Sequence, residues 1–149
     1  MICTWTGIAK DVKKHLQTSH NDLCDDHGDL YCLFLTIPNA SSYSYYKFLF
    51  AYNEIFFYRL QIQRGIMFLV LHYIGLAVHD LKYKYIVTVT NNEDTESVVV
   101  THLARRFTET EDYMSFTKNC LKLHCDHTDR FTDEDGDLTV SLEILRVDE

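Results

Sequence analysis

Residues 133–146 read DEDGDLTVSLEILR. Leu138, Val140, Leu142 and Ile144 take every second position while Thr139, Ser141 and Glu143 take the others, and only an extended chain sorts such a set onto two faces. The acidic run Asp133 to Asp137, with Gly136 in it, is the solvated tip of a hairpin ahead of this strand. The same period recurs at Tyr83, Tyr85, Val87 and Val89, and the polar tip Asn91 to Glu96 returns through Val98, Val99 and Val100. Further upstream Phe56 to Gln63 alternates, Gly65 breaks it, and Ile66 to Ile74 runs apolar until Gly75. Leu30 to Ile37 is an apolar run closed by Pro38 and Asn39, Ala40 to Ser44 is a small polar turn, and Tyr45 to Ala51 is the next strand. One helix interrupts: Thr108 and Glu111 form a capping box ahead of Tyr113, Met114 and Phe116, and Asn119 stops it before Leu121 and Leu123 resume the alternation. About eight short antiparallel strands with one inserted helix predict an all-β protein, a β-sandwich rather than a barrel.

The bulk properties suit that fold and narrow the function. The 149 residues make one main domain with at most a small appendage, and 46% apolar against 24% charged residues is a globular composition. A net charge of -8 argues against nucleic acid and against an anionic membrane surface as partners. The longest apolar run, Ile66 to Val78, contains His72 and falls short of the roughly 20 residues of a membrane span. Met1 to Lys10 lacks the pattern of a secretory signal, and five cysteines are an odd number without disulfide-framework spacing. Both point to a reducing compartment, the cytoplasm with access to the nucleus.

The first twenty residues form a different unit. Ile8, Val12 and Leu16 recur every four positions, with Lys10, Lys13, Lys14 and Gln17 between them, which predicts a short amphipathic helix ending near His20. Cys3 precedes His15 by twelve positions and His15 precedes His20 by five, so a thiol and two imidazoles one helical turn apart are spaced as zinc-finger ligands. Three ligands do not close a structural site, and the competing reading is a surface histidine pair beside an unrelated cysteine. Residues 1–22 are assigned to this partial finger and 23–149 to the sandwich, with the polar Asn21 to Asp29 as the link.

These residues resemble a known family. Cys3-x-Trp5-x-Gly7 followed by Val12, His15, Leu16 and His20 looks like the second half of the zinc finger of the seven in absentia (Sina/Siah) ubiquitin ligases. The likeness continues through Gly28-Asp29, Phe57 to Gln61, Phe68 to Gly75, Tyr83 to Thr90, His102 to Arg106, Cys120-Leu121 and Asp135-Gly136-Asp137-Leu138. The resemblance implies a TRAF-like sandwich that binds protein substrates or peptides and pairs into homo- or heterodimers. It also implies zinc on Cys3, His15 and His20 and a substrate groove built from Leu23 to Asp26 and Tyr45 to Ala51; the family's further ligand ahead of Cys3 has no counterpart here, and Cys24, four residues past His20, is a candidate replacement thiolate for a rebuilt site. Cys24, Tyr46, Phe48 and Phe50 are its candidate binding residues. Tyr46, Phe48 and Phe50 would form one wall unless they face the core, and a slip of one residue would put Tyr45, Lys47 and Leu49 there instead. In the family a RING upstream recruits the E2, and no RING is expected here. The implied role is an adaptor, dimer partner or regulator in ubiquitin-dependent degradation, reaching ligase or E2 through a partner. The alternative is a stand-alone TRAF-like peptide-binding or structural protein.

Three further groups are set aside. Cys120, His124, Cys125 and His127 lie along a predicted strand, where adjacent residues point to opposite faces, so a shared ion is not expected; no catalytic signature surrounds them, so a thiol-imidazole pair is not expected either. Counted from Asp133, a calcium loop would need Gly and Glu where Leu138 and Ile144 stand. Arg105-Arg106 is two charges in an acidic protein. No catalytic residues are assigned.

Overall fold

Alternating burial along each strand builds two sheets that meet across one core. The computed structural model describes residues 3–25, 32–38, 40–75, 82–107 and 120–147. Among them are nine strands: β1 (Cys32–Ile37), β2 (Ser42–Ala51), β3 (Glu54–Gln63), β4 (Ile66–Ile74), β5 (Tyr83–Thr90), β6 (Ser97–Leu103), β7 (Arg105–Arg106), β8 (Leu121–His124) and β9 (Leu138–Arg146). One sheet runs β1-β9-β5-β6; the other runs β2-β3-β4-β7, with β8 also on β4. All ladders are antiparallel except the two-residue β4–β7 pairing. The protein is an all-β, two-sheet sandwich. The helix expected over 108–119 and the Gly28-Asp29 pair lie outside the described residues.

The core is written in the two-residue period. Leu138, Val140, Leu142 and Ile144 of β9 and Tyr83, Tyr85, Val87 and Val89 of β5 point inward, opposite Phe56, Tyr58, Leu60 and Ile62 of β3 and Met67, Leu69, Leu71 and Tyr73 of β4. Phe56 meets Tyr83 edge-on at 5.0 Å across the two sheets, and the Tyr52 hydroxyl donates to the Ile144 carbonyl at 2.9 Å. β4 is buried along nearly its whole length on both faces, which is why its sequence is an unbroken apolar run.

Turn geometry explains where the strands depart from expectation. β2 begins at Ser42 rather than Tyr45, because Ser42 to Ser44 pair with Gln63 to Gln61 and Tyr43 stacks on Tyr45 at 6.1 Å. The β2–β3 hairpin turns on Tyr52 and Asn53, both with positive φ (54° and 63°), the two-residue geometry that matches strand twist. Gly65 does break the chain, at φ 74° after Arg64. Asn21 to Leu23 is a 3-10 turn rather than plain linker, and Cys125, expected to continue a strand, opens a one-turn helix, α2 (Cys125–Thr128). At the acidic tip the Asp133 carboxylate accepts the amides of Asp135 and Asp137, each at 2.9 Å, the local hydrogen bonding of an Asx-type turn. Among the described residues, no helix is long and apolar enough to cross a membrane.

Candidate functional site

The N-terminal helix α1 (Val12–Ser19), entered through a 3-10 turn at Ala9–Asp11, lies on the outer face of the β2-β3-β4 sheet. Its apolar stripe buries Leu16, with Val12 alongside, against Phe50, Ile55 and Ile74. Lys13 reaches over the Phe50 ring at 5.0 Å. With that stripe turned to the sheet, His15 stands one position off it, and His20 sits at the C-cap, where the chain leaves the helix (φ -135°, ψ 37°).

The predicted ligands come together there. The donor atoms of Cys3, His15 and His20 all lie within 4.8 Å of one another, and Cys3 Sγ is 3.3 Å from His15 Nε2. Trp5 stacks on the His15 ring at 4.5 Å and 9°, and His20 meets it edge-on at 5.1 Å. Gly7 has a reason to be glycine: a Cβ there would stand 2.2 Å from the Trp5 ring. A tetrahedral zinc ion with Zn–S near 2.3 Å and Zn–N near 2.05 Å spaces neighbouring donors by about 3.3–3.6 Å, so a small contraction of this trio fits one. A thiolate with two imidazoles is also a donor set that suits zinc. Among the described residues, no other group of three or more Cys, His, Asp or Glu side chains gathers this closely.

Cys24 is not part of that trio. Its side chain is buried, and Sγ donates to the His20 carbonyl at 3.4 Å. Its backbone forms a parallel bridge with Phe48, and the Asp25 amide donates to the Phe48 carbonyl at 3.1 Å. The chain leaving the cluster therefore runs beside the edge of β2.

Next to it, between β1 and β2, a cavity of about 300 Å³ opens where the sheets end. Asp25, Phe34, Tyr43, Tyr45, Lys47 and Tyr58 are among its walls. Burial first, then Tyr45 and Asp25, pushes the Tyr58 hydroxyl well above its ordinary pKa, so it stays protonated and able to donate. Phe34, 74% exposed on the outward face of β1, is a wall residue the sequence reading did not single out; its signal was a large aromatic at a solvent-facing position of a strand.

The three aromatics proposed as a groove wall lie on the other face of β2. Tyr46 is exposed, Phe48 half-buried and Phe50 buried under α1, and Tyr46 and Phe48 pack against Phe57 at 5.7 and 5.1 Å. Of the alternative register, Tyr45 and Lys47 line the slot, while Leu49 belongs to the core. Beyond Phe57 lies His72, whose ring is 2% exposed and whose pKa is lowered to about 4 by burial and by Arg59. Cys120 is buried against Phe68 and Val70, and burial raises its thiol pKa; burial and then Asp129 and Asp126 raise that of Cys125. Neither is the low-pKa thiolate that nucleophilic catalysis needs.

No protein-family model matches the chain, and no curated protein matches it. Fold and site together define a β-sandwich with a Cys/His cluster around its N-terminal helix and an open slot between two sheet edges.

Proposed function

We propose that this chain is a TRAF-like peptide-recognition module of the Sina type, whose N-terminal helix belongs to a zinc finger and whose sandwich selects protein substrates for ubiquitin-dependent degradation. The observation that supports it most is the meeting of Cys3, His15 and His20 around one point, because the finger motif is the most specific part of the resemblance. The slot is where a peptide would lie. β1 and β2 end their sheets among the described residues, and an extended segment added to such an edge gains main-chain bonds while wall residues such as Tyr45 and Phe34 select its side chains.

No Cys-x-x-Cys pair of a RING lies in these 149 residues, so ubiquitin transfer would use a RING outside them, either on the same polypeptide or on a ligase partner reached through a heterodimer or a ligase–E2 complex in the cytoplasm or nucleus, while a homodimer would serve substrate binding. The test is pull-down with a full-length Sina-type ligase, then ubiquitination with E2 in the presence and absence of this chain. Binding that changes transfer is expected. No association with ligase or E2 would leave a free-standing peptide-binding sandwich as the better account.

A further inference from the structure

We infer that metal binding at Cys3, His15 and His20 sets one wall of the slot between β1 and β2. The inference rests on the zinc and slot assignments above and adds a coupling between them. Only four residues lie between the ligand His20 and the wall residue Asp25, and hydrogen bonds tie them in series. The His20 amide donates to Leu16, ending α1, while the His20 carbonyl accepts both the Leu23 amide (2.9 Å) and the Cys24 thiol (3.4 Å). The Cys24 amide donates to Asn21 (3.1 Å), and the Asp25 amide crosses to the Phe48 carbonyl on β2 (3.1 Å).

What holds His20 in place is therefore what places Asp25. An eight-residue helix is too short to persist in water by itself, and α1 buries one residue, Leu16. A metal tying Cys3 to both His15 and His20 supplies the missing restraint. With the metal bound, Cys24 and Asp25 are held beside β2. Without it, the His20 carbonyl loses its fixed position, the Cys24–Phe48 bridge loosens, and the slot loses its Asp25 wall. Linkage requires the converse, so a ligand that fills the slot against Asp25 tightens the metal by the same factor.

The test reads backbone order with no peptide present. Amide hydrogen exchange is followed at Asp25 and at Val140 in the full chain, with zinc and with chelator. Metal loading is read separately, from fluorescence of Trp5, the single tryptophan, and from the thiolate-to-metal absorption of a cobalt-substituted sample. Zinc is expected to slow exchange of Asp25 at least tenfold and leave Val140 unchanged. Cys3→Ser is expected to abolish both loading and protection, whereas Cys24→Ala keeps loading and loses the protection. If zinc loads and Asp25 exchanges at the same rate with and without it, the coupling is wrong and the metal assignment stands. If neither zinc nor cobalt loads, both fall. Protection that survives in Cys24→Ala would overturn the route through the thiol.

Discussion

The N-terminal unit and the sandwich solve the same problem by different means. Residues 3–25 bury Leu16 and Cys24 in a small patch shared with Phe50 and Ile55, and most of their other side chains are open to water. The sandwich buries more than twenty side chains in one continuous cluster drawn from both sheets. A patch that small cannot offset the entropy of ordering its own backbone, roughly 1–2 kcal/mol per residue. The sandwich holds itself by hydrophobic burial, while the N-terminal unit needs a neighbour, a metal or both. The patch shared with β2 and β3 supplies the neighbour, and the donors of Cys3, His15 and His20 supply a place for the metal.

Val140→Asp attacks the stronger half and carries the largest expected effect. Val140 is fully buried in β9, which pairs with both β1 and β5, and a carboxylate there would have no partner. A cost above about 4 kcal/mol, enough to unfold a domain of ordinary stability, is expected by thermal circular dichroism. Because α1 rests on the sandwich, the cluster should fail with it, read as loss of metal-dependent Trp5 fluorescence. An unchanged melting curve would remove β9 from the core.

Acid acts within the sandwich, on the face of β4 turned away from the main core. His72 keeps a pKa near 4 in the fold against an ordinary 6.5, so the unfolded chain takes up its proton first as pH falls. Its contribution is complete above about pH 6.5 and is lost as pH drops from there through 4, by on the order of 3 kcal/mol in total. Urea midpoints measured across that window should fall for the native chain and fall less for His72→Gln. Equal slopes would show that other groups carry the acid sensitivity.

Leu16→Ala sharpens the comparison from the weaker side. Removing a buried leucine costs about 2–3 kcal/mol at the low end of such series, and here the loss should appear as weaker zinc binding with the main melting transition nearly unmoved. A large drop in the main transition would mean that α1 belongs to the sandwich's own cooperative unit.

The two halves also differed in how well the sequence exposed them. Strands with one wet face were legible, because Thr139, Ser141 and Glu143 mark the outside of β9 as clearly as Val140 marks the inside. The Cys3, His15 and His20 meeting was legible because the spacing puts one imidazole on the helix and the next at its end, where the chain turns back, with a thiol upstream, as zinc-finger ligands are spaced. The outer face of β2 was harder, since Tyr46, Phe48 and Phe50 are apolar on a face that is itself partly covered by α1, so alternation between aromatic and aromatic says nothing of inside or outside. The Tyr52-Asn53 turn was missed for a related reason: neither residue is glycine, yet both adopt positive φ. The slot depends on how β1 and β2 flank one cavity where the sheets end, which a strand-by-strand reading does not contain.

Phe34→Ser should have the smallest effect on stability and so isolates the slot from both supports. At 74% exposed the Phe34 ring buries little on folding, and surface substitutions of that kind stay within about 0.5 kcal/mol. The melting temperature and zinc binding should both match the native chain. If Phe34 serves as a wall for an extended peptide, however, the same change removes a large aromatic contact at the slot's mouth, and tight binders concentrate their energy in such aromatics. A peptide selected on the native chain from a random display library should therefore bind Phe34→Ser at least tenfold more weakly, while Tyr46→Ser, on the opposite face of the sheet, leaves it unchanged. The reverse pattern would move the binding surface to the outer aromatic face of Tyr46, Phe48 and Phe57 and leave the slot as a seam where two sheets part.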